Sequence, residues 1–194
     1  IAYKYKIYEE FSKEAMDMAN SLPTEVEPKD LVGRKDLTNE MIFTIDGDDT
    51  KDIDDAISFS KHDGIYTLGV HIADVSYYVT KDSPLDKDAF TRGTSSYLAY
   101  SVIPMLPHVL SNGICSLNEG VVRLTQSCVM DIDSNGNIIK YDIFPSYIKS
   151  SKKMTYKKVN DILMRDIVDP EYVKFADTLK GMNELAHILR KHKE

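Results

Sequence analysis

One short segment constrains this chain more than any other, because residues 46–55 carry six carboxylates within ten positions. The six are Asp46, Asp48, Asp49, Asp52, Asp54 and Asp55. Residues 41–45 and 56–59 on either side are largely apolar and have the length of buried strands, so the segment between them must stay near the core. Like charges held that close raise one another's pKa and destabilise a fold unless a cation intervenes. The pattern favours a metal site about as strongly as its alternative, a solvated acidic loop.

Charge and composition restrict the class of protein. The 194-residue chain has a formal net charge of −7, and residues 25–55 account for all of it with 11 acidic and four basic side chains. A globally basic nucleic-acid binder is therefore disfavoured. Hydrophobic residues make up 42% of the chain, enough for one core, yet no apolar run approaches the roughly 20 residues that span a bilayer. The two cysteines, Cys115 and Cys128, cannot form a disulfide framework and suit a reducing, cytoplasmic compartment.

The sequence predicts both helices and strands, in a mixed order along the chain. Helical spacing of apolar residues predicts helices over residues 8–22, 84–92, 155–164 and 170–192. Strands are predicted over residues 41–45, 56–59 and 67–72, and in a long hairpin over 122–143 that turns at Asn135-Gly136. Residues 24–40 are expected to form a polar linker or surface arm, and residues 101–120 an ordered irregular loop. His71, within a strand pattern, is expected to be a packed core residue. The fold class is mixed α/β (α+β), with β-sheets and a long hairpin flanked by helices.

Two other known types of site compete for the acidic positions. The calcium loop of an EF-hand does not fit the aspartate segment, since Lys51 and Ile57 would take its sixth and twelfth positions. Calcium-loop spacings also occur at Asp131, Asp133, Asn135, Gly136 and Asp142, but strand-like alternation on both sides favours a hairpin turn there. The spacing D-x-D-x-T matches phosphatases of the haloacid-dehalogenase type, in which Asp46 would be the nucleophile and Asp48 the acid/base.

The aspartate segment belongs to a longer series of motifs. Residues 44–56 read T-I-D-G-x-D-x-x-D-x-D-D-A. The series continues with G-V-H-I-A-D-V-S-Y-Y-V at 69–79, R-G-T-S-S-Y-L at 92–98, V-I-P-M-L-P at 102–107, L-S-N-G-I-C-S-L-N at 110–118 and M-T-Y at 154–156. Together these motifs resemble the catalytic (RNB) domain of the ribonuclease II/ribonuclease R exoribonucleases, with the bacterial ribonuclease R branch nearest in pattern. One departure is Val122 before Arg123, where relatives often carry an acidic residue.

The resemblance implies a processive 3′→5′ exoribonuclease that hydrolyses single-stranded RNA to nucleoside 5′-monophosphates with Mg²⁺ or Mn²⁺. The catalytic and metal-binding carboxylates that it implies are Asp46, Asp52, Asp54 and Asp55. Asp48 and Asp49 lie where relatives vary and are expected to be bystanders. Tyr97 matches the family tyrosine that stacks on a base near the RNA 3′ end. Residues 1–29 would be an amino-terminal helix and linker, and residues 30–194 the amino-terminal part of a truncated RNB domain.

Positive charge for RNA is expected near the carboxyl end of the chain. The lysines assigned to RNA binding are Lys149, Lys152 and Lys153, in the densest basic stretch; a solvated surface is the alternative. The family also implies RNA-binding OB-fold domains in the same full-length chain. This chain is therefore expected to be a monomeric piece without membrane association, and to be inactive when isolated. A catalytically silent RNA-binding fragment is the remaining alternative.

Overall fold

A seven-stranded sheet forms the centre of the structure, a computed structural model that describes residues 10–98 and 102–193. The strands of these residues are β1 (Lys35–Asp36), β2 (Ile42–Asp46), β3 (Asp55–His62), β4 (Ile65–Ala73), β5 (Ser96–Tyr97), β6 (Val102–Ile103), β7 (Val122–Ile132), β8 (Ile138–Lys149) and β9 (Lys153–Thr155). The sheet has the order β1-β8-β7-β4-β3-β2-β9, and β5 pairs with β6 separately. Neighbouring strands are antiparallel except at the two edges, where β1 is parallel to β8 and β9 to β2. The predicted mixed class is confirmed.

Side-chain caps set where several helices begin. The helices are α1 (Lys13–Ser21), α2 (Val75–Tyr78), α3 (Pro84–Arg92), α4 (Tyr156–Arg165) and α5 (Ala176–Lys193). The hydroxyl of Ser83 caps α3, that of Thr155 caps α4, and that of Ser12 caps α1. The cap at Ser12 makes α1 shorter than the predicted helix over 8–22, of which residues 8 and 9 lie outside the described residues. The predicted last helix begins instead with a 3₁₀ turn, Pro170–Phe175. Among the helices of residues 10–98 and 102–193, none is long and apolar enough to cross a membrane.

The long hairpin of β7 and β8 turns where the sequence predicted. The Asp133 carboxylate accepts hydrogen bonds from the backbone amides of Asn135 and Asn137. Gly136 has φ 87°, a left-handed conformation that costs glycine no steric strain. A β-carbon at position 136 would also lie 2.9 Å from the β-carbon of His192 on α5. The hairpin turn is confirmed over the calcium-loop alternative.

The two faces of the sheet pack against different parts of the chain. Phe43 and Ile42 are adjacent on β2 and therefore point to opposite faces. Phe43 packs with Met154 and with a group on the carboxyl-terminal helices: Val159, Ile162, Tyr172, Phe175 and Leu179. Ile42 packs in a second cluster that includes Ile53 of the aspartate segment. Because Ile53 is only 1% exposed, the acidic loop is anchored in the core by its own apolar residue.

Two segments have more regular structure and more long-range contacts than predicted. The expected surface arm over 24–40 contains β1, and Arg34 within it donates a hydrogen bond to the Asp74 carboxylate at 2.6 Å in a nearly buried ion pair. The expected irregular loop over 101–120 contains β6 and a π-helical turn at Leu110–Ile114. Both predictions were wrong in these parts, because the segments owe their order to contacts with distant residues, which local composition does not report.

His71 is a packed core residue, as predicted. The residue is 1% exposed, and its Nδ1 and Nε2 atoms lie 2.6 Å from Ser127 Oγ and 3.0 Å from Ser58 Oγ. Burial lowers the pKa of His71 to about 4, because a buried imidazole resists protonation. The side chain is therefore neutral at physiological pH.

Candidate active site

Strand ends fix the first and last of the four candidate catalytic carboxylates. Asp46 is the last residue of β2 and Asp55 the first residue of β3. These two strands are antiparallel neighbours, so the end of one lies beside the start of the next. On their outer sides, Asp46 is in register with Thr155 of β9 and Asp55 with Ile72 of β4. The sheet therefore holds both aspartates at the same end.

Two carboxylates of the loop, those of Asp46 and Asp54, are in an environment that resists ionisation. Burial raises the pKa of Asp46, and the nearby Asp55 and Asp52 raise it further, while the neighbouring Thr44 hydroxyl and Lys153 oppose the increase. Loss of water around its carboxyl raises the pKa of Asp54, and the other three aspartates add to the effect. At the distances and angles of an ordinary hydrogen bond, neither the buried Asp46 Oδ2 atom nor the buried Thr44 hydroxyl has a partner among the described residues, although the hydroxyl is near enough to lower the pKa of Asp46. Such an oxygen is costly to leave unsatisfied, and a bound cation would supply the missing interaction.

A cleft of about 500 Å³ connects two of the four candidate carboxylates with Tyr97. Asp52 and Asp54 line the cleft together with Tyr97, which pairs with Val102 in the β5–β6 ribbon and is 71% exposed. The remaining walls of the cleft are formed by residues 72, 73 and 75, by residues 93–95 and 104–106, and by Ser111. The structure thus brings three of the predicted site residues to one cavity. Asp46 and Asp55 are not part of its lining and lie at the adjoining strand ends.

The middle of the aspartate loop is fastened to a segment that carries no carboxylate. Ser116 is fully buried, and its hydroxyl donates a hydrogen bond to the Lys51 carbonyl at 2.7 Å and accepts one from the Ile53 amide at 3.0 Å. The Leu117 amide donates to the Ile53 carbonyl at 2.9 Å. Ser116 was not among the predicted site residues. Its motif at 110–118 was visible, but a serine in a stretch rich in glycine and proline gives no sign of what its hydroxyl contacts.

The three lysines assigned to RNA binding have different surroundings. The Lys153 ammonium donates a hydrogen bond to the Thr50 carbonyl and so lies against the aspartate loop. Lys152 forms an ion pair with Glu171 at 3.0 Å and a longer one with a second glutamate. Lys149 is exposed at the end of β8. Of the three, Lys153 is beside the site, and the charge of Lys152 is matched by carboxylates.

The donor set fits a hard divalent cation that is bound together with substrate. Mg²⁺ prefers oxygen ligands, and it commonly takes one or two carboxylates, several waters and substrate phosphates. In the described parts of the chain, no three aspartate, glutamate, histidine or cysteine side chains lie close enough together to hold a metal ion. The observations that favour a cation here are the unpartnered Oδ2 atom of Asp46 and the repulsion that the neighbouring aspartates exert on Asp46 and Asp54.

Comparisons with known proteins agree with this chemistry. The family model of the RNB domain matches residues 34–194. Ribonuclease R of Thermotoga maritima is 56% identical over 182 residues, which cover 93% of this chain and 26% of that protein. Ribonuclease R 1 of Lactococcus lactis is 54% identical over 185 residues, covering 94% of this chain and 23% of that protein. The chain therefore spans about a quarter of the length of these relatives.

The fold has a close counterpart among solved structures. The structure of Mycoplasma genitalium RNase R in complex with ribose-methylated single-stranded RNA superposes with a TM-score of 0.88 at 30% sequence identity. The match covers 98% of this chain and 30% of that chain. The arrangement of strands and helices described above is thus found within a longer protein.

Proposed function

Because this chain belongs to the RNB-domain family, we propose that it forms the acidic, amino-terminal part of the catalytic domain of a 3′→5′ exoribonuclease. The enzyme would hydrolyse single-stranded RNA processively to nucleoside 5′-monophosphates. The observation that carries the proposal is the single cleft lined by Asp52, Asp54 and Tyr97, which combines acidic groups for phosphodiester chemistry with an exposed aromatic ring for a base. The haloacid-dehalogenase-type phosphatase is not favoured, because the matching family and relatives are ribonucleases.

We assign the metal site to the four aspartates. Asp46 and Asp55 would be the principal ligands of Mg²⁺ or Mn²⁺, with Asp54 essential for the attacking water or a second ion and Asp52 as a supporting ligand. Bound cations of this kind make a water nucleophilic and stabilise the leaving oxygen. The raised pKa values of Asp46 and Asp54 support this assignment, since a cation relieves repulsion between ionised carboxylates. Asp48 and Asp49 are exposed at the tip of the loop and have no role in the proposal.

Tyr97 would position the RNA 3′ end. An aromatic face stacks on any base, with about 1–3 kcal/mol of stabilisation for each base stacked. The exposure of Tyr97 and its place in the same cleft as Asp52 and Asp54 support this role. A base stacked there would place the phosphodiester bond on its 5′ side toward the carboxylates, which sets where the last cleavage occurs.

Basic residues and further domains would complete the RNA path. The positive charges of Lys149 and Lys153 would attract RNA phosphates. Lys152 would contribute less, because its charge is already paired with glutamates. Residues 30–194 would be the amino-terminal part of the RNB domain and residues 1–29 a preceding helix and linker, although α1 packs with α3 in one cluster. We further propose that OB-fold domains of a longer monomeric chain bind the RNA, and that the isolated 194 residues are inactive. The free cysteines Cys115 and Cys128 fit a cytoplasmic enzyme.

The test uses a longer chain in which these residues replace the aligned region of Thermotoga maritima ribonuclease R, with which they share 56% identity. We call this chimera the extended enzyme. It should release nucleoside 5′-monophosphates from the 3′ end of a 5′-labelled oligoadenylate, only with Mg²⁺ or Mn²⁺. Hydrolysis of p-nitrophenyl phosphate through a covalent aspartyl-phosphate at Asp46 would support the phosphatase instead. RNA binding without hydrolysis, unaffected by metal or by Asp46→Asn, would support a silent RNA-binding fragment.

A further inference from the structure

We propose that Ser116 is a positioning residue for the active site, which holds Asp52 and Asp54 in place through one buried hydroxyl group. The inference rests on the proposed function, because it concerns how the metal-binding carboxylates are placed. Ser116 itself is 0% exposed and touches neither metal nor RNA. It would act only through the backbone of the aspartate loop.

The hydrogen-bonding capacity of this hydroxyl is used on both sides of Asp52. A serine hydroxyl has one proton to donate and lone pairs to accept. The Lys51 carbonyl lies at 2.7 Å and the Asn118 side-chain oxygen at 3.4 Å, so the proton goes to Lys51. The Ile53 amide donates to the same hydroxyl at 3.0 Å. The residues before and after Asp52 are therefore both bound to Ser116, and Ile53 directly precedes Asp54.

A second set of contacts keeps the two segments in register. The Leu117 amide donates to the Ile53 carbonyl at 2.9 Å, and the Ala73 amide of β4 donates to the Asp54 carbonyl at 2.9 Å. Ile53 and Leu117 are each 1% exposed and lie in the same apolar cluster. The backbone from 51 to 54 is thus fixed by four hydrogen bonds, two of which end on the Ser116 hydroxyl.

Ser116 is held in turn by a buried arginine. The Nε atom of Arg123 donates to the Ser116 carbonyl at 2.9 Å, and its Nη1 atom to the Val122 carbonyl at 3.0 Å. Arg123 is only 7% exposed, and burial of a guanidinium is costly because it loses its water. The hydrogen bond from Arg123 to the Ser116 carbonyl partly offsets this cost and fixes the position of residue 116.

Ser127 provides a matched control. Like Ser116 it is a buried serine, 1% exposed, and its hydroxyl has two close partners, His71 Nδ1 at 2.6 Å and Ser146 Oγ at 2.5 Å. Both partners lie within the sheet and neither belongs to the aspartate loop. Ser116→Ala and Ser127→Ala therefore remove similar interactions from similarly buried sites, and only the first one loosens the loop.

The experiment compares Ser116→Ala, Ser116→Thr and Ser127→Ala in the extended enzyme. Mn²⁺ binding is measured in the absence of RNA from the paramagnetic resonance of free Mn²⁺, and kcat and KM are measured with oligoadenylate. Ser116→Ala should weaken Mn²⁺ binding, by up to the roughly 10–100-fold that follows removal of a group hydrogen-bonded to a metal ligand, and lower kcat with little change in KM. Ser116→Thr keeps the hydroxyl and should recover most of the affinity. Ser127→Ala should shift the unfolding midpoint but leave Mn²⁺ binding unchanged.

The outcomes separate this inference from the proposed function. Mn²⁺ affinity and kcat in Ser116→Ala equal to those in Ser127→Ala would overturn the positioning role while the ribonuclease assignment stands. A wild-type extended enzyme that neither binds Mn²⁺ nor hydrolyses RNA would overturn the proposed function and this inference with it. If Ser116→Ala does not fold, Ser116→Cys fills the site with a somewhat larger and more weakly hydrogen-bonding group. That variant should show an intermediate loss of Mn²⁺ affinity, and wild-type affinity in it contradicts the proposal.

Discussion

The Lys153 ammonium donates a hydrogen bond to the Thr50 carbonyl, so a side chain from strand β9 crosses to the aspartate loop. The same ammonium lowers the pKa of Asp46 and therefore favours the ionised form that binds a cation. Lys153 is thus connected to the loop both by a hydrogen bond and by charge. Besides the RNA-binding role proposed for it, Lys153 would therefore help to shape the proposed metal site.

Lys153→Met should lower kcat of the extended enzyme about tenfold, since a hydrogen bond from a charged donor contributes roughly 1.5–3 kcal/mol and about 1.4 kcal/mol corresponds to a factor of ten. The optimum of activity should also move to higher pH, because the pKa of Asp46 rises when the ammonium is removed. Lys152→Met is the control, as Lys152 is paired with Glu171 and should matter less. Equal activity losses in the two variants would contradict the distinction.

Asp54→Asn should abolish hydrolysis by the extended enzyme while RNA binding survives. Loss of one metal-organising carboxylate removes several kcal/mol of transition-state stabilisation, which corresponds to at least about 10²-fold in kcat. Asp48→Asn makes the same chemical change at the exposed tip of the loop and should leave kcat within about twofold, as most changes at exposed positions have small effects. Turnover near normal in Asp54→Asn would refute the assignment of the catalytic carboxylates.

Tyr97→Ala should lengthen the limit product of RNA degradation and weaken the binding of a short oligoadenylate. A stacked base contributes about 1–3 kcal/mol, or roughly 5–150-fold in affinity. Tyr141→Ala is a suitable control, because Tyr141 on β8 is also largely exposed, at 66% compared with 71% for Tyr97, and does not line the cleft. A limit product of unchanged length in Tyr97→Ala, measured on a sequencing gel, would exclude the stacking role.

Asp46→Asn should stabilise the metal-free chain at neutral pH and remove the stabilisation by Mg²⁺. The pKa of Asp46 in the folded state is raised above its ordinary value of 3.8. The folded state therefore binds this proton more tightly than the unfolded state, and the free energy of unfolding falls as pH rises from 3.8 through the raised pKa. The wild type should gain about 2.7 kcal/mol with Mg²⁺ at 100 times its Kd, and the variant much less. Thermal unfolding with and without Mg²⁺ measures both effects; an equal Mg²⁺ gain in the two proteins would exclude Asp46 as a principal ligand.

His71 should make the fold less stable in acid. Its pKa is lowered from 6.5 to about 4, so the folded state binds a proton less tightly than the unfolded state, and stability present above pH 6.5 is lost as pH falls toward 4. The loss at the acid end is on the order of 3 kcal/mol. Urea unfolding of wild type and His71→Gln between pH 4 and 7 tests this. The difference between the two curves should change with pH, and a constant difference would contradict a buried neutral imidazole.

Sequence alone predicted the parts of the fold that local patterns determine. Alternating apolar residues and Asn135-Gly136 identified the long hairpin, and Thr155 identified the start of α4, because a strand pleat, a turn and a helix cap each depend on neighbouring residues. The order of the strands in the sheet was not predictable in this way. The parallel pairing of β9 with β2 joins residues more than a hundred positions apart, and no local pattern indicates it.

The candidate site was predicted unevenly for the same reason. The aspartates lie within ten residues of one another and can be recognised as a motif. Tyr97 was assigned by resemblance. That Tyr97 shares a cleft with Asp52 and Asp54 depends on the β5–β6 ribbon and on residues 104–106. The sequence predicted no element at β5 and only an irregular loop from residue 101 onward. Ser116 escaped notice because its role depends on which two backbone groups its hydroxyl reaches.

The aspartate loop has a short stretch between its fixed points. Asp46 is held by β2, Thr50 by Lys153, and the backbone from 51 to 54 by Ser116 and β4. Only Asp48 and Asp49 remain at an exposed tip, closed by a hydrogen bond from the Thr50 amide to the Gly47 carbonyl at 3.2 Å. The fixed points on both sides of the tip should therefore separate its side chains mechanically from the proposed metal ligands, so a fluorescent label attached at position 48 is expected to report on the site while leaving those ligands in place.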